Sequence, residues 1–106
     1  MIIVTTDYVP GKKITKMIGL VRGNSVRVRH IGKDITASLR TIIGGEVYEY
    51  TKMLAETREQ SLDRMCDEAR ELNADAVINV RFSTSQIMKG AAELLAYGTA
   101  VQLEDE

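Results

Sequence analysis

Arg58 is the residue whose type and position ask most of its surroundings. Leu54 and Leu62 stand four positions before and after it. At 100° per residue it falls about 20° from Val47, inside an apolar stripe of Val47, Leu54, Leu62, Met65, Ala69 and Leu72. A guanidinium keeps its charge at neutral pH, so a buried one has to be paired. The carboxylates near expected element junctions are Glu46 and Glu93. Arg81 and Glu93 form a second candidate pair, at odd positions of two strands joined by a short loop. With Tyr97 these residues read either as a polar pocket at a subunit boundary or as structural ion pairs that set register. An enzyme would use Arg58, Glu93 and Tyr97, with Tyr97 as proton donor. The motifs of nucleophilic and phosphoryl chemistry are missing from the sequence: no Gly-x-Ser-x-Gly, no Walker loop, and no Gly-x-Gly-x-x-Gly after a strand. A non-enzymatic role is the expectation.

Metal chemistry finds few donors. The chain has one cysteine, Cys66, and one histidine, His30, which lie 36 positions apart. That rules out an internal disulfide, a thiolate-only cage and the paired-histidine motifs within one chain. Cys66 lies at the margin of the apolar stripe. Arg70, four residues on, could activate a thiol there, but a free cysteine in such a place packs as a small hydrophobe. No metal ligand is assigned. Gly44-Gly45 before a helix could offer amides to an anion, yet Glu46 at the same point would repel one. The pair reads as a helix stop and turn.

The net charge of −1 conceals an asymmetry. Residues 1–45 hold eight Lys and Arg against two acids, and residues 46–106 hold six against thirteen. The two halves can attract each other within a subunit or between subunits. A nucleic-acid partner is not expected, because the chain is acidic overall and carries no binding motif.

These residues must be positioned by a small set of elements. Ile2–Thr6 reads as a strand and Tyr8-Val-Pro-Gly11 as a turn. A second extended stretch covers 13–30, with a bend or bulge at Gly23-Asn24, and places Arg27 and Arg29 on one face. Ile31, Ile35, Leu39 and Ile42 share helical spacing behind an Asp34 cap. A second helix covers 46–73, about 42 Å long, and overhangs so small a globule. Residues 75–85 alternate, with Ala76, Ile78, Val80 and Phe82 on one face. A connection at 86–90 leads to a last strand at 91–103 that is apolar on both faces. Helices can cover only one of those faces, so a second subunit is expected on the other.

The 106 residues suit one domain, spanning 1–106. An apolar fraction of 44% argues against disorder. No apolar run nears the roughly 18 residues of a membrane span, and the first residues do not read as a signal peptide. A soluble, cytoplasmic protein with no membrane partner is expected.

Five segments bear a family resemblance. They are TTDYVPGKKITKMIGLVRGNSV at 5–26, IIGGE at 42–46, YTKMLAETREQSLDRM at 50–65, NADAVINVRFSTS at 73–85 and GAAELLAYGTAV at 90–101. Together they resemble the YbjQ family, which carries the label "putative heavy-metal-binding domain". Asn73 departs from the family's usual glycine, but asparagine also tolerates the left-handed helix stop. The resemblance implies an α+β fold similar to the dodecin subunit, a small antiparallel sheet with a two-helix layer on one face. It also implies a ring-shaped homo-oligomer, a pentamer, with strands meeting in a central barrel. The function expected is an oligomeric binding or structural protein that holds a small ligand or ion at subunit boundaries. A heavy-metal-binding protein is the alternative, and it would need carboxylates or donors shared between subunits.

Overall fold

The computed structural model describes residues 1–28, 45–88 and 90–106. The expected helix behind Asp34, together with Arg29, His30 and Gly44, lies outside them. Four strands, β1 (Ile2–Ile3), β2 (Lys12–Val28), β3 (Ala76–Met88) and β4 (Ala91–Asp105), form one sheet in the order β1-β3-β4-β2. The helix α1 (Gly45–Glu71) crosses one face. Both long pairings are antiparallel, but β1 runs parallel to β3 with Ile2 opposite Ala76. The sheet is therefore mixed, not purely antiparallel as expected.

The turn before β2 follows its chemistry. Pro10 presets φ, Gly11 takes φ 77°, and the Lys12 amide bonds the Val9 carbonyl at 3.1 Å. The bend expected at Gly23-Asn24 does not form. The β2–β4 register runs unbroken from Gly19↔Ala100 to Val28↔Ala91, and the irregularities fall earlier, between Ile14 and Gly19. Gly23 has a different task. A Cβ there would lie 2.3 Å from both the Met65 amide nitrogen and the Ser61 carbonyl oxygen. The strand thus meets the helix backbone to backbone.

That approach also decides which side of α1 is buried. Thr57, Ser61, Met65 and Ala69, spaced four apart, face the sheet, while Leu54 is 49% exposed and Leu72 is 44% exposed. In the first half of the helix the stripe is rotated away from the most apolar residues. Small hydroxyl side chains fit under a close crossing where leucines would not. Each hydroxyl is satisfied: Ser61 donates to the Leu94 carbonyl at 3.0 Å, and Thr57 donates to the Met53 carbonyl at 2.7 Å.

The alternation expected over 75–85 breaks at Asn79, which takes φ 54° where β3 shifts register against β4 between Ile78 and Arg81. This bulge flips the strand. Ala76 and Ile78 pack with Val9 and Val101 on the face away from the helix, whereas Val80 packs with Met65 and Ala96 beneath it. The helix ends as its sequence suggests. Asn73 sits at φ 60°, its amide bonds the Arg70 carbonyl, and the Ala74 amide reaches back to Ala69. This is the paired pattern of a left-handed helix stop.

Replacing Gly23 by Ala must push helix and sheet apart. The expected loss is about 3 kcal/mol, read as a lowered urea midpoint with an unchanged slope.

Candidate functional site

A groove of about 700 Å³ opens between the first half of α1 and the far end of the β2–β4–β3 sheet. Its volume lies in the range of small-molecule sites. Met53 and Leu54 from the helix and Ala91, Ala92 and Leu94 from β4 make most of the lining aliphatic, and Thr84 and Gln86 of β3 complete the wall. Arg27, Thr57 and Arg58 bring the polar groups.

Arg27 is the residue that sequence reasoning missed. In a strand of alternating valines it reads as a solvent-side cation, but the register puts it opposite Ala92, on the helix face. Its Nε donates to Thr57 Oγ1 at 3.0 Å and its Nη2 to Gln60 Oε1 at 3.2 Å. Gln60 Oε1 also accepts from Ser25 Oγ at 2.5 Å. Thr57 is held from both sides, since its hydroxyl donates to Met53 and accepts from Arg27. These partners are all neutral. The only signal in the sequence was Thr57, Gln60 and Ser61 clustered on one side of a helix, a polar seam that has meaning only opposite Ser25 and Arg27.

The sequence-predicted residues are placed as follows. Arg58 lines the groove and is exposed, and no salt bridge among the described residues involves it. Its expected burial does not hold: Met65 and Ala69 of the expected stripe do face the sheet, but around Arg58 the contact runs through Thr57 and Ser61, which leaves Arg58 and Leu54 turned outward. Glu93 contributes to the groove wall, but it stands on the odd side of β4, facing away from the helix. Asn24 Nδ2 donates to its Oε2 at 3.3 Å there. Tyr97 lies on that same face, opposite both Arg22 and Arg81. The sheet therefore separates Arg58 from Glu93 and Tyr97, and the three do not form one site. Arg81 and Glu93 share a face but stand four positions apart in register, about 13 Å at the strand rise. Arg81 Nη1 instead donates to the carbonyls of Thr5 and Val80, both at 2.9 Å, tying the N-terminal segment to the β3 bulge. The backbone of Glu46 lies in the first turn of α1, and its side chain is outside the description.

Cys66 is 8% exposed in the core beneath α1. Burial pushes its thiol above the ordinary 9.0, and the nearby Arg70 charge opposes this only in part. No group of three His, Cys, Asp or Glu side chains that could hold a metal occurs among the described residues. One chain's described residues thus do not fit a heavy-metal ion, for which a thiolate and further donors would have to converge. No described helix is long and apolar enough to cross a membrane.

Comparisons with known proteins agree on the family. Residues 1–104 match the YbjQ family, described as "Putative heavy-metal-binding". A protein of Methanosarcina acetivorans called "UPF0145 protein" is 55% identical over 103 residues, which cover 97% of each chain. One of the same description from Archaeoglobus fulgidus is 58% identical, over 97% of this chain and 95% of that one. A crystal structure of a DUF74-family protein of unknown function from Pediococcus pentosaceus superposes with a TM-score of 0.67 at 18% identity, over 98% of both chains.

Two outcomes follow from these placements. Arg58→Leu should change stability by no more than about 0.5 kcal/mol, as for an exposed residue with no salt bridge among the described residues, in a thermal melt. For Cys66, the folded state favours the protonated thiol. Its contribution is complete below pH 9.0 and is lost as pH rises through the higher folded value. Cys66→Ala should cost about 1 kcal/mol at pH 7. Denaturant titrations of parent and variant above pH 9 should then show the gap between them narrowing.

Proposed function

We propose, from the premise that this chain belongs to the YbjQ family, that it is a non-enzymatic homo-oligomeric binding protein. Its subunits join through the sheet, as a ring of five, and hold a small ligand at or beside their boundaries. The observation that carries this reading is the sheet face opposite α1. At one end that face is covered by Val4 and Val9 of the N-terminal segment. Beyond them it presents Leu20 at 61% exposure and Val26 at 46%, beside half-buried Leu95 and Tyr97. Arg22, Asn24, Arg81 and Glu93 stand between these residues on the same face, and exposed apolar side chains set among polar ones are the composition of a subunit interface.

Two further features support assembly. β2 is an edge strand, and β3 from Phe82 onward has no strand on its outer side among the described residues. Open edges on opposite sides of one sheet suit a head-to-tail contact, which closes into a ring when the rotation permits. The radius of gyration is 17.6 Å, against about 13 Å for a compact chain of this length. Among the described residues the largest fully buried apolar side chains are Met65, Val21, Val77 and Val101. Leu20, Val26, Phe82, Ile87 and Met88 remain exposed beside that core, apolar surface for association to bury.

The family description favours a second reading, metal binding. Because the described residues of one chain gather no three donors, such a site would draw on more than one subunit. Titration of the assembled protein with a panel of divalent ions tests it, and heat at a stoichiometry below one ion per chain would support it. Among the described residues no nucleophile–base pair supports an enzyme.

Ala96 is fully buried beneath α1, so a charge there would report on folding. Leu20→Asp is the cleaner test of assembly. It should lower the light-scattering mass from a multiple of 11.8 kDa to one chain, with helix content preserved. A parent that is already a single chain at micromolar concentration, or a variant with the parent's mass, would refute the sheet-face contact.

A further inference from the structure

We infer that the groove between α1 and the sheet takes a linear aliphatic carboxylate, its chain along the floor and its head between Arg27 and Arg58. This rests on the reading of the protein as a binding module and names the ligand class. Among the described residues the floor is aliphatic, built from Met53, Leu54, Ala91 and Leu94, with no aromatic side chain. An unbranched chain needs only the apolar contact these side chains give, and methionine adapts its shape to one.

The polar end of the groove is cationic, and no salt bridge among the described residues neutralises it. Arg27 is half-buried and spends Nε and Nη2 on the neutral oxygens of Thr57 and Gln60, which fix the plane of its guanidinium. Nη1 has no partner among the described hydrogen bonds. Arg58 follows Thr57 on the helix and has no salt bridge among the described residues. Glu93, the one acid among the described residues of the wall, does not neutralise them, because its carboxylate accepts from Asn24 on the other face of the sheet. A guanidinium held in place beside apolar surface favours a carboxylate, which can accept two parallel N–H bonds. A cation of the same length would meet two like charges.

The test is calorimetric titration of the full chain with decanoate below the concentration at which it self-associates. Decyltrimethylammonium serves as the cation of equal tail, and the mass of each sample is read by native mass spectrometry. Decanoate should bind at up to one per chain, more weakly as salt is raised, and the cation should not. Arg58→Gln, an exposed substitution that leaves the melt unchanged, should weaken decanoate about tenfold, the loss of one modest charged contact. Arg27→Gln should weaken it further, but it also disturbs Thr57 and Gln60, so Arg58→Gln carries the decision. No decanoate heat from an oligomer overturns the ligand class and leaves assembly standing. Equal binding of anion and cation, or full affinity in Arg58→Gln, overturns it too. Decanoate bound by a single chain supports the ligand class while removing the oligomeric reading.

Discussion

The contact at Gly23 sets the rest of the molecule. Where a strand lacks a side chain, a helix can settle until its own amides and carbonyls touch the sheet. The residues on either side must then be small, so Thr57 and Ser61 occupy the crossing. Small residues there are also hydroxyl-bearing, and hydroxyls brought out of water need partners. Met53 and Leu94 supply carbonyls, and Arg27 supplies a donor. The polar seam under α1 is thus a consequence of close approach.

The same contact explains the groove. The helix is pinned at Ser61–Met65 and again at its end, where Asn73 turns the chain and Gln102 Nε2 bonds the Asn73 carbonyl at 3.1 Å. Toward its start, Ala92 and Leu94 of β4 stand on one side and Met53 and Thr57 of the helix on the other. These leave a gap that the close crossing cannot extend along the whole helix. A long helix over a short, small-residue core produces a cavity at one end as a matter of geometry. The arginines at its rim give that cavity a sign.

On the other side of the sheet the constraint is coverage. The N-terminal segment shields Ala76, Ile78 and Val101, held by the Val4 amide on the Val77 carbonyl, the Val80 amide on the Val4 carbonyl and Arg81 on Thr5. It cannot reach Leu20, Val26 or Leu95. Arg81 acts here as a fastener. Lys12 pairs with Asp105 where β2 and β4 end, and this ion pair holds the Asp105 carboxyl below the usual carboxylate range. Exposed on both sides, that pair adds little to stability.

Much was legible in the chain itself. The Pro10-Gly11 turn, the long helix, its left-handed stop at Asn73 and two long strands at the C-terminal end all follow from local chemistry, which acts over a few residues. The doubly apolar character of β4 was readable too, since alternation records how many faces want cover. Local rules could not locate Asn79 as the bulge, because asparagine in a strand of alternating residues looks like any outward polar group until register is known. Nor could they show that Gly23 approaches a helix instead of bending a strand, since both uses ask only for a missing side chain. The rotation of α1 is the clearest case. A helical wheel ranks faces by hydrophobicity, but the buried face was chosen by how near the backbones can come. Tertiary contact therefore turned Leu54 and Arg58 outward, drew Thr57 and Arg27 inward, and set the sheet between Arg58 and Glu93.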